Sequence, residues 1–108
     1  MIPPITVDLR DYDFDTMKGF MAVVNDLVPS IKADYPMVHI CAVVISEHHL
    51  KMLRLERYMQ GDPLEEVKQS GPQHVCGIPV IIALENGQAR CPGCGGLHEL
   101  DVVWYHKR

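Results

Sequence analysis

The sequence predicts an α/β or α+β fold with one small mixed sheet, two main helices and a C-terminal β-hairpin. Three observations predict it. The chain has 108 residues, too few for two separate hydrophobic cores, so residues 1–108 are taken as a single domain. Hydrophobic residues make up 47% of the chain, an ordinary share for a globular protein. Strand-like and helix-like apolar periods then alternate along the chain.

The first strand and the first helix follow from two apolar periods. Residues 5–9 alternate between apolar and polar side chains, which is typical of a half-buried strand. Apolar residues recur at helical spacing over 17–28, with Asp15 or Thr16 as the N-cap. We expect Pro29 to end or to kink this helix, because proline donates no backbone hydrogen bond.

A central strand and a second main helix follow. Residues 38–45 are apolar on both alternating faces, which indicates a strand that is covered on both sides. Ser46 is a suitable N-cap for an amphipathic helix over residues 47–60. His48 and His49 are adjacent and point in different directions on a helix, so they predict a solvated helix start rather than an ion clamp.

The remaining elements before the C-terminal segment are shorter. A short helix is expected over residues 63–69, because Pro63 suits the first helical position. Residues 75–84 predict another strand, in which Pro79 indicates an edge or an irregularity.

The C-terminal hairpin is predicted over residues 75–105. Asn86-Gly87 is typical of a two-residue hairpin turn, and such a turn places Cys91 opposite Ile82. A short return strand and a last strand over residues 97–105 complete the predicted sheet.

Composition and charge argue against several classes of protein. The formal net charge of −4 argues against a nucleic-acid partner, since such binding depends on Lys and Arg. Lys51, Arg54 and Arg57 share one helical face, which is either a solvated face or a contact for an acidic partner. No signal-peptide pattern is visible, and no apolar run approaches the ~20 residues that cross a bilayer. We therefore expect a cytoplasmic or particle-associated protein with no membrane partner.

The segment Cys91-Pro92-Gly93-Cys94-Gly95 carries the strongest chemical signal. Two thiolates separated by two residues can hold one tetrahedral ion, and the glycine allows the backbone to turn around it. In a reducing compartment a CxxC motif indicates a metal or redox site before a disulfide.

The motif supplies two ligands, and the sequence offers several candidates for the other two positions of the shell. His98 is the first candidate because it lies close along the chain. Cys76 is the second, provided that a bend in the preceding strand closes the distance. His74 and His106 are weaker candidates, and each histidine has an ordinary surface role as its alternative. The predicted ion is a structural Zn²⁺ held by Cys91, Cys94, His98 and Cys76.

Two resemblances bear on function. Cys91, Cys94 and Gly95 resemble half of a zinc knuckle or zinc ribbon, although the partner knuckle is missing. Residues 43–82, with a strand, an amphipathic helix and a Gly-Ile-Pro-Val strand, are similar to a segment of tailed-phage capsid and small phage accessory proteins. This second resemblance implies a virion or accessory protein and no catalytic residues.

The leading hypothesis is a non-enzymatic, zinc-binding structural or interaction module that works with a protein partner or within a larger assembly. One alternative is a small thiol- or metal-dependent enzyme with a redox CxxC, although Gly95-Gly96 prevents the helix that activates such a cysteine. Another alternative is a nucleic-acid-binding zinc ribbon. Motifs of phosphate-binding loops, serine hydrolases and zinc proteases are absent from the sequence.

Overall fold

The computed structural model describes residues 5–69, 71–91 and 94–106, and it confirms a mixed α/β architecture. Within those ranges the chain forms four helices and six strands. In chain order they are β1 (Ile5–Asp8), α1 (Met17–Asp34), β2 (Ile40–Ser46), α2 (Glu47–Met59), α3 (Leu64–Gln69), β3 (His74–Val75), β4 (Ile78–Ala83), β5 (Gln88–Arg90), β6 (Leu97–Glu99) and α4 (Leu100–His106).

The strands form one mixed sheet in the order β1-β2-β4-β5-β6, with β3 paired to β4. β1, β2 and β4 are parallel, because helical connections return the chain to the same end of the sheet before each next strand. β4, β5 and β6 are antiparallel neighbours. The hairpin strands therefore extend the sheet beyond its three parallel strands.

The two faces of the sheet are covered by different helices. On the first face, Phe20 and Val24 of α1 and Leu53 of α2 pack with buried residues of the parallel strands. The second face is covered by α4. In the described part of the chain, the helical residues that pack there are Leu100 and Val103. The buried residues of this second core are Ala42, Val44, Ile81, Ala83, Ala89, Cys91 and Val103.

α1 begins at the predicted residue, and it continues past Pro29 instead of ending there. Thr16 is the N-cap, and its hydroxyl accepts a hydrogen bond from Gly19 N at 2.9 Å. Pro29 does not end the helix, since α1 continues past it. Val28 and Ile31, on either side of the proline, pack against the first core. This apolar contact offsets the lost backbone hydrogen bond.

The start of α2 confirms one prediction and corrects another. Ser46 is the N-cap, and its hydroxyl accepts a hydrogen bond from His49 N at 3.2 Å. His49 is not solvated, because it is only 4% exposed, whereas His48 is exposed. The ring of His49 lies with its Nδ1 3.2 Å from Ser46 N and so completes a reciprocal cap. This backbone donor holds the ring in the core.

A tight turn splits the third predicted strand into β3 and β4. Cys76 and Gly77 have φ angles of 51° and 78°, and Val75 lies opposite Ile78 across the turn. Two successive left-handed residues are typical of a type I′ hairpin turn. The irregularity predicted near Pro79 is this turn.

The turn between β4 and β5 is longer than the predicted two residues. Leu84 N donates a hydrogen bond to Gln88 O at 2.8 Å, which encloses a three-residue loop. Ile82 therefore pairs with Arg90 and not with Cys91. Because neighbouring residues of a strand face opposite sides, this shift by one position moves Cys91 to the other face of the sheet.

The prediction of a last strand is wrong beyond Glu99, where β6 ends and α4 begins. β5 has three residues, so it offers β6 no further pairing. A helical turn instead brings Leu100 and Val103, three positions apart, onto the second face, where Val103 is completely buried. No helix in the described ranges, α4 included, is long and apolar enough to cross a membrane.

Candidate metal centre

The pairing of β5 with β6 places Cys91 and His98 on the same face of the sheet. His98 lies directly opposite Ala89. Cys91 comes two positions after Ala89 and points to the same side, because side chains alternate along a strand. The ladder continues through Cys91 N, which donates to Gly96 O at 2.9 Å. Cys91 and His98 are therefore diagonal neighbours, within reach of each other for long side chains.

A tight turn leads from Cys91 to β6 and carries Cys94. Gly95 N donates a hydrogen bond to Cys91 O at 2.7 Å and closes the base of this turn. Gly95 has a φ of 75°, a left-handed conformation that glycine adopts without strain. Pro92 and Gly93, the middle residues of the predicted motif, lie outside the described residues. Gly95 therefore has the role that the motif predicts for it, a turn of the backbone after the second cysteine.

The structure brings three of the four predicted ligands together. The Sγ atoms of Cys91 and Cys94 and a ring nitrogen of His98 all lie within 4.8 Å of one another. Cys94 Sγ and His98 Nε2 are 2.9 Å apart, in hydrogen-bond contact. A tetrahedral zinc ion, with bonds of about 2.0–2.3 Å, separates its ligand atoms by roughly 3.5–3.8 Å. The 2.9 Å contact is roughly 0.6 Å shorter than that spacing, and the other two distances are at most 4.8 Å.

The three ligands differ in their contact with solvent. Cys91 is completely buried within the second core, His98 is half-buried and Cys94 is exposed. The backbone of Gly96 passes beside the group, since a Cβ at this position would lie 3.7 Å from both Cys94 Sγ and His98 Nε2. An ion held here is fixed to the core through one thiolate and is accessible to solvent on the opposite side.

The structure does not bring Cys76 to this group. Cys76 lies in the type I′ turn between β3 and β4, and its thiol donates a hydrogen bond to Asn25 Oδ1 at 3.1 Å. His74, at the start of β3, is also outside the group. The side chain of His106 belongs to the part of the chain that the structure does not describe. Among the described side chains, the group therefore offers three candidate ligands.

Sequence reasoning missed two features of the centre. One is the burial of Cys91, which depends on the three-residue loop between β4 and β5. The other is α4, whose Val103 packs in the same core as Cys91. The apolar spacing of Leu100 and Val103 was an available signal for this helix, since residues three apart share a helix face. The loop length had no comparable signal, because Asn-Gly occurs in both kinds of hairpin turn.

No protein-family model, curated protein or solved structure matches this chain. The geometry of the described residues therefore carries the functional argument.

Proposed function

We propose that this protein is a non-enzymatic structural or interaction module in which Cys91, Cys94 and His98 hold a Zn²⁺ ion. The observation that supports the proposal is the approach of three soft or borderline ligand atoms to within 4.8 Å of one another. Two thiolates and one imidazole select zinc over magnesium or calcium, which prefer oxygen ligands. The proposal makes the ion a part of the fold.

A structural ion at this position would stabilise the short β5–β6 hairpin. β5 and β6 have three residues each, and a hairpin of that length is marginal in water without additional support. The ion would join the end of β5, the turn and β6 through one shell. It would thereby also fix the start of α4, which follows β6 without a break. Metal-binding free energy would then become folding free energy for this segment.

The fourth position of the shell separates a structural site from a catalytic one. Structural zinc sites are usually closed by four protein ligands, whereas catalytic sites keep one position for water. We propose that a fourth protein ligand, supplied by a binding partner, closes this site. A partner's ligand would make the ion a contact point of the assembly, which agrees with an interaction role.

From the sequence pattern of residues 43–82, which resembles a segment of tailed-phage proteins, we propose a more specific form of this function, a virion or phage accessory protein. The segment corresponds to β2 through β4 and therefore supplies the central parallel pair of the sheet. The hairpin and its ion would be an addition to that body. Co-purification with virions, compared with a variant in which Cys91 and Cys94 are both serine, tests this form.

The decisive experiment measures zinc by elemental analysis and its ligands by X-ray absorption. We expect about one zinc ion per chain with two sulfur ligands. The Cys91→Ser, Cys94→Ser double variant should lose the ion and unfold at a lower temperature. Cys76→Ser is the matched control, because that thiol lies outside the group, and it should retain the ion. Wild-type protein without zinc, or full zinc loss in Cys76→Ser, contradicts the proposed site.

One contact favours a second function, a thiol–disulfide exchange enzyme. The exposed Cys94 lies 2.9 Å from the His98 ring, and the second thiol of the CxxC pair, Cys91, belongs to the same group. Cys94 would attack a substrate disulfide and release one thiol. Cys91 would then attack the mixed disulfide, release the second thiol and leave a Cys91–Cys94 disulfide. A metal-free protein that forms this disulfide reversibly and reduces a model disulfide would establish this function in place of the structural one.

A further inference from the structure

A second candidate site adjoins the ligand group, since Cys91 lines it, and extends over the first face of the sheet. It is a pocket of about 520 Å³ between α2, α3, the connection over residues 71–73 and strands β4 and β5. Surface clefts of this volume accommodate small molecules. Among the described lining residues, Cys91 and Gly95 belong also to the region of the proposed metal centre.

Three separate elements each contribute a positively charged residue to the lining of the pocket. Arg54 of α2, Lys68 of α3 and Arg90 of β5 all line it. Among the described residues that line it, none is acidic. The chain as a whole has a net charge of −4, so this local excess of cations opposes the overall balance. An anion in the pocket would be attracted by these cations.

The remaining surface of the pocket is largely apolar and is held in place by local contacts. Leu50, Pro72, Val80 and Ile82 contribute to its lining. The connection over residues 71–73 is tied to β4, because Val80 N donates to the carbonyl oxygen of residue 73 at 2.9 Å. This hydrogen bond holds the connection beside the strand that carries Val80 and Ile82.

Gly71 lets this connection pack closely against the Leu50 side chain of α2. A Cβ at position 71 would lie 2.9 Å from Leu50 Cδ1, which is closer than non-bonded carbon atoms approach. The glycine therefore allows the wall over residues 71–73 to pack directly on the helix that carries Arg54.

We propose that this pocket binds a small organic phosphate, with the phosphate group on Arg54, Lys68 and Arg90 and an apolar body on Val80 and Ile82. A phosphate monoester carries up to two negative charges and several acceptor oxygens, which suit two guanidinium groups and an ammonium. The apolar lining adds affinity for a ring or short chain that inorganic phosphate lacks. This site takes a different ligand from the proposed zinc ion and goes beyond the structural role.

The proposal is tested by calorimetric titration of the zinc-loaded protein at low ionic strength with three probes. Phenyl phosphate presents both features, inorganic phosphate only the anion, and benzyl alcohol only the ring. We expect phenyl phosphate to bind at least tenfold more tightly than either of the others, and added salt to weaken it. Absence of phenyl phosphate binding at millimolar concentration, or equal binding of benzyl alcohol, would overturn the proposal.

Charge-neutral variants locate the binding. Lys68→Gln and Arg90→Gln alter exposed side chains and should leave folding unchanged, while each weakens phenyl phosphate binding by about tenfold or more. Lys51→Gln is the matched control, because Lys51 is an exposed cation of α2 that does not line the pocket. An equal loss in Lys51→Gln would show non-specific surface attraction and overturn the site. Zinc content measured on the same samples keeps this result separate from the outcome at the metal centre.

Discussion

At the scale of single residues, the ring of His49 joins two segments through its two nitrogens. Ser46 N lies 3.2 Å from Nδ1, and Tyr12 O lies 2.7 Å from Nε2. A backbone N–H donates and a carbonyl accepts, so Nδ1 is the acceptor and Nε2 carries the proton. Phe14 stacks on the ring at a centroid distance of 4.1 Å. His49 thus connects the loop after β1 to the start of α2.

We predict that His49→Ala lowers the free energy of unfolding by about 2–3 kcal/mol. The substitution removes half of the reciprocal cap, leaves Tyr12 O without its ring donor and opens space beside Phe14. His48→Ala, at the exposed neighbouring position, is the control and should change stability by less than about 0.5 kcal/mol. Urea unfolding measures both, and equal effects would show that the ring contacts contribute nothing.

Cys76 is a second residue whose importance lies in its backbone. Its φ of 51° is in the left-handed region, which is unfavourable for side chains other than Asn, Asp and Gly. The turn places it at the first central position of a type I′ hairpin, followed by Gly77. The residue that this position favours is asparagine.

We predict that Cys76→Asn raises the free energy of unfolding by about 0.5–1 kcal/mol and leaves zinc content unchanged. The gain comes from a better fit to the left-handed conformation, and the zinc result follows because this thiol is outside the ligand group. Thermal unfolding and elemental analysis on one sample give both numbers. A less stable variant would mean that the thiol contact to Asn25 Oδ1 outweighs the turn preference.

At the scale of elements, α4 connects the hairpin to the second face of the sheet. Val103 is completely buried there, together with Cys91, while its neighbour Val102 is 49% exposed. Leu100 N at the start of the helix also donates to Gly87 O in the β4–β5 turn at 3.2 Å. The helix is therefore fixed both to the hairpin and to the central strands.

We predict that Val103→Ala lowers the free energy of unfolding by about 2 kcal/mol, because it removes two buried methyl groups and leaves a cavity. Val102→Ala removes the same atoms from an exposed position and should have an effect within about 0.5 kcal/mol. Chemical unfolding distinguishes the two. A negligible effect of Val103→Ala would mean that α4 does not stabilise the second face.

At the scale of the whole molecule, stability is divided unequally between the two faces. The first core contains large side chains from two long helices and three parallel strands. The second core consists mainly of alanine and valine, with one short helix over it in the described part of the chain. We expect the parallel strands to be the last to open and the hairpin with α4 to be the first.

The proposed ion should act on this weaker unit. We predict that removal of zinc by a chelator speeds amide hydrogen exchange by tenfold or more in β5, β6 and α4, while β2 and β4 remain protected. Exchange followed by mass spectrometry gives this comparison within one molecule. Loss of protection throughout the sheet would show that the ion supports the entire fold, and no change anywhere would remove its structural role.

The pocket and the metal centre also belong to this scale, since each is assembled from several elements. Arg54 was part of a predicted helical row, but Lys68 and Arg90 were isolated cations in the sequence. Only the packing of α2 and α3 beside the sheet places the three around one cavity. Residues that are distant along the chain and meet only in the fold leave no periodic pattern in the sequence.

The sequence by itself determined the local features of this protein. The caps at Thr16 and Ser46, the amphipathic helices and the turn that carries Cys91 and Cys94 are all encoded within a few residues. His98 was predictable for the same reason, because it is only four positions from Cys94. Interactions over such distances depend little on the rest of the fold.

The tertiary structure decided what depends on competition between distant partners. The loop between β4 and β5 is one residue longer than predicted, and this single position turned Cys91 from the first face to the second. The end of β5 left β6 without a partner, so the final segment became a helix over the second core. Pro29 stayed within α1 because core contacts on both sides outweighed its local preference. Pairing register and burial are set by the whole sheet, and short-range patterns do not contain them.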